Sequence, residues 1–206
     1  MTKQKWTAIL RHYDANGRRR SADELNWFSQ LPSLNLAIAR AALATDSRGK
    51  RFGHQCRIRA GSLAEAHNAL RRARSSIHRS RSFDELLGII TFALDEVAGI
   101  GELFCYDTAF RIGGHLRLYP QKIYLHSGTR QGARALGIRV RHKDALEVTE
   151  LPTELRCLSP HEVEDVLCIY KDQFSNPETS SWRLTGCASI SRGRVRRREC
   201  GHHGHH

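Results

Sequence analysis

The chain has 206 residues, 40% hydrophobic and 26% charged, a globular balance that excludes fibrous, collagenous and wholly disordered classes. Its 33 Lys and Arg stand against 21 Asp and Glu, a formal charge of +12, and Arg outnumbers Lys 27 to 6. That excess predicts a polyanion partner, most simply nucleic acid, because guanidinium forks match phosphate oxygens and guanine edges.

The best apolar stretch, Leu86 to Ala98, is broken by Asp95 and Glu96 and falls short of the roughly 20 residues a membrane helix needs, so no membrane partner is expected. The N-terminal residues lack an apolar leader core and a small-residue cleavage site, which predicts a cytoplasmic protein. Six cysteines, at 56, 105, 157, 168, 187 and 200, form no C-x-x-C pair and read as reduced thiols. No metal or other cofactor is predicted, and no obligatory protein partner.

In chain order, a short helix is expected at about Ala22 to Gln30, broken by Pro32. Ser33 then precedes LNLAIARAALA, a run of strong helix formers. After the polar, basic connection DSRGKRFGHQ, Ser62 is the expected cap of a helix carrying Leu63, Ala66, Leu70, Ala73 and Ile77 on one face and Arg71, Arg72 and Arg74 elsewhere. Ser82 with Glu85 three residues on forms a capping-box pattern ahead of LLGIITFALDEVA, a helix expected to end at Gly99. A second helix is expected from about Glu102 to Ile112, stopping at Gly113-Gly114. KIYLH (122–126) is too short for a sheet and reads as an extended connection into a helix near Gly128 to Leu136, capped by Ser127. Ser159-Pro160-His161-Glu162 combines a cap, a first-turn proline and an acidic third position, and starts a helix through about Gln173. The expected fold class is all-α.

Val97-Ala98-Gly99-Ile100-Gly101 is the sharpest feature. Two glycines around an aliphatic residue allow a tight turn, Ile100 plugs the space between the helices, and the amides that open the second helix can hold a phosphate. An ordinary helix-helix turn is the plainer reading of the same residues.

With this hairpin the chain resembles the helix-hairpin-helix DNA glycosylases, the repair enzymes related to endonuclease III, whose hairpin reads aliphatic-x-Gly-aliphatic-Gly. The resemblance covers about residues 83 to 140. It implies a helix-hairpin-helix glycosylase-like bundle over 1–175, with the hairpin at about 83–113; from about Asn176 apolar residues become few and arginines accumulate, which predicts a basic, flexible tail at 176–206. In that family a Val-Asp precedes the helix that ends near Arg-Leu-Gly, and the Asp is catalytic. Here TRQGARALG follows Tyr124-Leu125-His126-Ser127-Gly128, so His126 stands where the Asp would be. Bifunctional members carry a Lys two residues after the second hairpin glycine, and Leu103 occupies that place, which implies a monofunctional enzyme.

Breaking a bond from C1′ to a base nitrogen passes through an oxocarbenium-like state and calls for a carboxylate beside the sugar. Asp107, the only charge in LFCYDTAF, is the catalytic candidate, with a structural pairing to Arg111 at i+4 or to an arginine from elsewhere as the alternative. His126 is the second, as a base or a contact to a flipped nucleotide, with a loop or phosphate-contacting histidine as its alternative. Gly99, Ile100, Gly101, Lys122, Arg130 and Arg134 are the expected contacts to double-stranded DNA. Trp27, Phe28, Tyr106 and Tyr124 are available to stack a flipped base, although aromatics at helical positions more often fill a core. The Arg run at 192–198 suits sequence-independent phosphate binding, and a zinc site from Cys200 and the terminal histidines is a minor alternative.

The expected function is removal of a damaged or modified base, in repair or against modified phage DNA, leaving an abasic site. A non-catalytic DNA-binding protein using the same hairpin is the alternative, and an RNA-binding protein a third, without the usual RNP or GXXG signatures.

Overall fold

Caps written in the sequence start several helices of the computed structural model, which describes residues 1–175. The tail expected at 176–206, with its Arg run and Cys200, lies outside the described residues. Thr2 accepts the Lys5 amide and opens α1 (Lys3–Tyr13). Asp14–Arg18 is π-helical, with helical backbone angles at both joints, so the helical run continues into α2 (Arg19–Ser29). The sequence gives α1 no strong signal, since Asp14-Ala15-Asn16-Gly17 has the composition of a turn.

Ser33 caps α3 (Leu34–Ala42) by accepting the Leu36 amide. The next helix, α4 (Ala60–Arg72), begins before its expected cap: Arg59 occupies the N-cap and Ser62 lies inside the first turn. Ala60 is a strong helix former, and the helix extends upstream to include it. α5 (Arg74–Arg79) follows directly, which places Arg74 on a separate helix from Arg71 and Arg72. Ser82 caps α6 (Phe83–Leu94) through the Glu85 amide, while the Glu85 carboxylate reaches back to the Arg81 amide.

The glycines after α6 behave differently from expectation. α6 ends at Leu94, short of Gly99, and two turns bridge to α7 (Glu102–Leu116), with the Val97 amide donating to the Leu94 carbonyl and the Ile100 amide to the Val97 carbonyl. Only Gly99 needs to be glycine for its backbone, at φ +81°; Gly101 is extended, and a Cβ there would meet nothing within 4 Å. α7 then runs through Gly113-Gly114 instead of stopping there. These two glycines serve close packing: a Cβ on Gly113 would lie 2.4 Å from the Leu118 carbonyl oxygen, and one on Gly114 would lie 3.0 Å from Leu25. The helix ends two residues later, with Arg117 left-handed at φ +61°.

KIYLH does form a sheet, of the smallest kind. β1 (Ile123–Tyr124) pairs antiparallel with β2 (Ala145–Leu146), Ile123 opposite Leu146. α8 (Ser127–Ala135) follows with His126 at the N-cap, so Ser127 is its first residue rather than its cap. α9 (Pro160–Ile169) has the expected capping box of Ser159 and Glu162, and α10 (Lys171–Ser175) closes the described chain after a break at Tyr170. Among the described residues the fold is helical apart from this ribbon, and no helix is long and apolar enough to cross a membrane.

Two apolar cores organise the elements. The first joins α2 to α7, with α7 packed against α2, α3 and α6. The second joins α1, the ribbon, α8, α9 and α10. The helical run from α1 to α2 passes from one core to the other, and at the crossing Tyr13 donates to Asp165 at 2.9 Å and Arg18 to Glu162 at 2.5 Å. Burying these apolar faces supplies most of the stability, at about 25 cal/mol per Å² of apolar surface removed from water.

Candidate functional site

α7 is buried on nearly every side, so a charge on it must be paired or open to a cleft. It carries two. Arg111 is only 2% exposed and donates to Glu24 on α2 at 2.6 Å and to the Gln55 side-chain oxygen at 2.9 Å, with its guanidinium 3.8 Å from the Phe52 ring centroid. Asp107, one turn earlier, is 18% exposed.

Asp107 is not paired with Arg111. Its Oδ2 accepts from Gln55 Nε2 at 2.8 Å and from His54 Nε2 at 2.7 Å, and a carboxylate partner fixes the His54 proton on Nε2. Its Oδ1 accepts no hydrogen bond from any described residue. One oxygen is therefore fixed by two donors, while the other accepts from none of the described residues. His54 and Gln55 come from a single helical turn, Gly53–Gln55, in the connection between α3 and α4. Their part in the site is absent from any motif, because the pairing spans 53 and 52 residues of chain.

Beside this network lies a cleft of about 300 Å³, lined by His54, Gln55 and Ile58, by Gly101 to Phe104 at the start of α7, and by Ser127 at the start of α8. Of the expected hairpin residues Gly101 lines this cleft and Gly99 and Ile100 do not; Asp107 adjoins it through its partners His54 and Gln55. Gly101, at the N-cap of α7, offers no side-chain cap, which leaves the first amides of that helix for an external acceptor.

His126 lies deeper. It is 7% exposed, its Nε2 is 2.6 Å from Thr129 Oγ1, its ring centroid is 6.1 Å from that of Tyr106, and its Nδ1 has no hydrogen-bond partner among the described residues. Burial lowers its pKa, with the Asp107 charge opposing, so the ring is neutral near pH 7. It does not touch Asp107 or line the cleft.

Other acids face this interior from α9. Glu164 is 3% exposed, takes the Tyr124 amide on Oε1 at 2.6 Å, and has its pKa pushed well up, first by burial and then by the charges of Asp165 and Asp107. Burial likewise raises Asp165 to about 7. Neither stands out in the sequence, since HEVED reads as an ordinary helix start.

The expected DNA contacts divide. Lys122 is bound to Asp84 at 2.6 Å. Arg130 is occupied within the chain, donating to the carbonyls of Leu125, Val140 and Lys143 at 2.9, 3.0 and 2.8 Å. Arg134 is exposed. Among the aromatics, Phe28 is fully buried, Tyr106 is 8% exposed, and Trp27 and Tyr124 pack on the first core. Among the described residues no group of three His, Cys, Asp or Glu side chains is placed to hold a metal ion. No protein family, curated protein or solved structure matches the chain.

Proposed function

We propose that the chain is a monofunctional DNA N-glycosylase that flips a damaged or modified base out of the duplex and hydrolyses it off, leaving an abasic site. The observation that carries this reading is the Asp107 carboxylate, tethered through Oδ2 by His54 and Gln55 and unengaged at Oδ1, next to a cleft at the start of the second hairpin helix. The hairpin sequence and the net charge of +12 support a duplex as the substrate.

In this reading the amides around Gly101 hold a backbone phosphate and the flipped nucleotide enters the cleft. The C1′–N bond breaks with its electron pair leaving on the base, and Asp107 Oδ1 stabilises the positive charge that develops on the sugar. Water adds at C1′ and gives up a proton to the carboxylate or to bulk solvent. The tether matters because a preorganised carboxylate pays no reorganisation cost as the charge forms. Leu103 offers no amine at the place of the family's lyase lysine and Lys122 is paired with Asp84, so in this reading water is the nucleophile.

The test is release of free base, read by mass spectrometry, and of abasic sites, read by alkaline cleavage, from genomic DNAs with different base modifications, phage DNA included. Asp107→Asn is expected to abolish release while retaining DNA binding. Loss confined to His126→Ala would move the chemistry to the position of the family's catalytic Asp. Salt-sensitive binding with no release from any of these DNAs would reduce the chain to a hairpin DNA-binding module.

A further inference from the structure

A basic hollow sits at the far end of α8 from the cleft. Ser127 borders the cleft and Arg134 lies seven residues on, about 10 Å along a helix rising 1.5 Å per residue. There Arg134, Arg139, Val140, Arg141, Lys143 and Glu150 surround a hollow of about 650 Å³. Lys143 and Glu150 are paired with each other. Arg134, Arg139 and Arg141 are exposed and meet no acid among the described residues.

The hollow is built rather than incidental. Arg130 is fixed beneath the loop by its three backbone carbonyls, two of which, Val140 and Lys143, belong to the loop itself. Val140 is 3% exposed and pins the loop to the second core, and left-handed residues, Gly137 at φ +78° and His142 at φ +57°, turn the chain before and after it. Arg139 and Arg141 flank the pinned Val140, and Arg134 in the last turn of α8 completes the wall. The C-terminal end of a helix carries about half a negative charge, which disfavours an anion, but three guanidiniums outweigh it. Such a cluster repels itself in the empty protein, and a string of phosphates is the ligand that relieves the repulsion with matching geometry.

We propose that the Arg134, Arg139 and Arg141 pocket is a second phosphate site, holding consecutive phosphodiesters of the DNA backbone so that the nucleic acid is gripped at both ends of α8. This rests on the DNA reading above. The pocket contributes affinity without reading sequence, because phosphates are the same at every step of the duplex.

The experiment measures binding of a labelled DNA duplex against salt for the full chain, for Arg134→Gln/Arg139→Gln/Arg141→Gln, and for a control, Arg71→Gln/Arg79→Gln/Arg81→Gln, which removes the same charge from exposed residues elsewhere. Each lost phosphate contact lowers the slope of log K against log salt by about 0.9, so the pocket variant should lose about 2 to 3 and the control less than 1. Equal losses in both variants would mean diffuse charge and overturn the proposal. An unchanged slope in the pocket variant would also overturn it while leaving the DNA reading intact. Tripolyphosphate binding that the pocket variant abolishes, without a change in its DNA slope, would assign the hollow to a free phosphate ligand instead. A parent chain that shows no salt-dependent DNA binding would sink both readings together. Unchanged thermal midpoints for both variants keep folding out of the comparison.

Discussion

Arg111 stands four residues after Asp107 on the same helix, yet its guanidinium turns to Glu24, and the two charges meet only through the side-chain amide of Gln55. That amide donates to the carboxylate with its nitrogen and accepts from the guanidinium with its oxygen, so each end is matched and a flipped amide would mismatch both. A direct Asp107 to Arg111 ion pair would occupy the carboxylate; the relay through Gln55 holds it and leaves Oδ1 open.

Gln55→Ala should therefore act on stability and on activity at once. It leaves a buried guanidinium N–H without an acceptor, at a cost of about 1–3 kcal/mol by urea denaturation. Freed of one tether, Asp107 should lose base release by about a hundredfold, as expected for a reacting group displaced by about 1 Å. A variant that unfolds more easily but releases base at the parent rate would make the relay purely structural.

The turn before α7 and the end of that helix allow a paired test of why their glycines are there. Gly113→Ala replaces a poor helix former by the best one, yet the added Cβ would sit 2.4 Å from the Leu118 carbonyl oxygen, so a loss of about 2–3 kcal/mol is expected. Gly101→Ala adds a Cβ into open space at φ −127° and should change stability by less than about 0.5 kcal/mol. Thermal unfolding of the two variants reads the contrast, and equal effects would remove the packing role assigned to Gly113.

How much was legible in the sequence follows the range of each interaction. The caps at Ser33, Ser82 and Ser159 bind amides or side chains within four residues, and the left-handed turn at Gly99 is equally local; all could be read directly. Gly113-Gly114 misled because a stop and a close approach ask for the same residue type, and only the position of Leu118 and Leu25 separates them. α1 was hidden because a π-helical segment absorbs Asp14 to Arg18 without breaking the run. At the site, the unusual chemistry of Asp107 in an apolar helix pointed to that residue, but its partners His54 and Gln55 sit in a connection that reads only as polar and basic. Arg130 and Arg134, one turn apart on α8, look alike in sequence and differ entirely in the fold.

That difference is measurable. Arg130→Ala removes three bonds from a charged donor to backbone carbonyls and should cost about 2–4 kcal/mol, loosening the loop that carries Arg139 and Arg141. Arg134→Ala touches an exposed side chain and should stay within about 0.5 kcal/mol. Hydrogen exchange at residues 137–143 should accelerate in the first variant only; acceleration in both would mean that Arg130 does not hold the loop.

The acids of α9 set a pH dependence whose sign is opposite to that of a salt-bridged carboxylate. Asp165 is raised by burial from an ordinary 3.8 to about 7, so between those values the folded chain keeps a proton that the unfolded chain has released. Its contribution is full below 3.8 and is lost progressively as the pH rises to about 7. Glu164 is pushed the same way by burial, so its contribution also declines as the pH rises. His126 works against them from the other side: burial lowers its pKa, so stability is lost as the pH falls below its ordinary 6.5. Asp165→Asn retains an acceptor for the Tyr13 hydroxyl but cannot ionise, and its unfolding free energy should decline less than the parent's between pH 4 and 7. Parallel pH profiles for parent and variant in urea denaturation would show that Asp165 ionises alike in both states, and that the packing of α1 against α9 does not hold its proton.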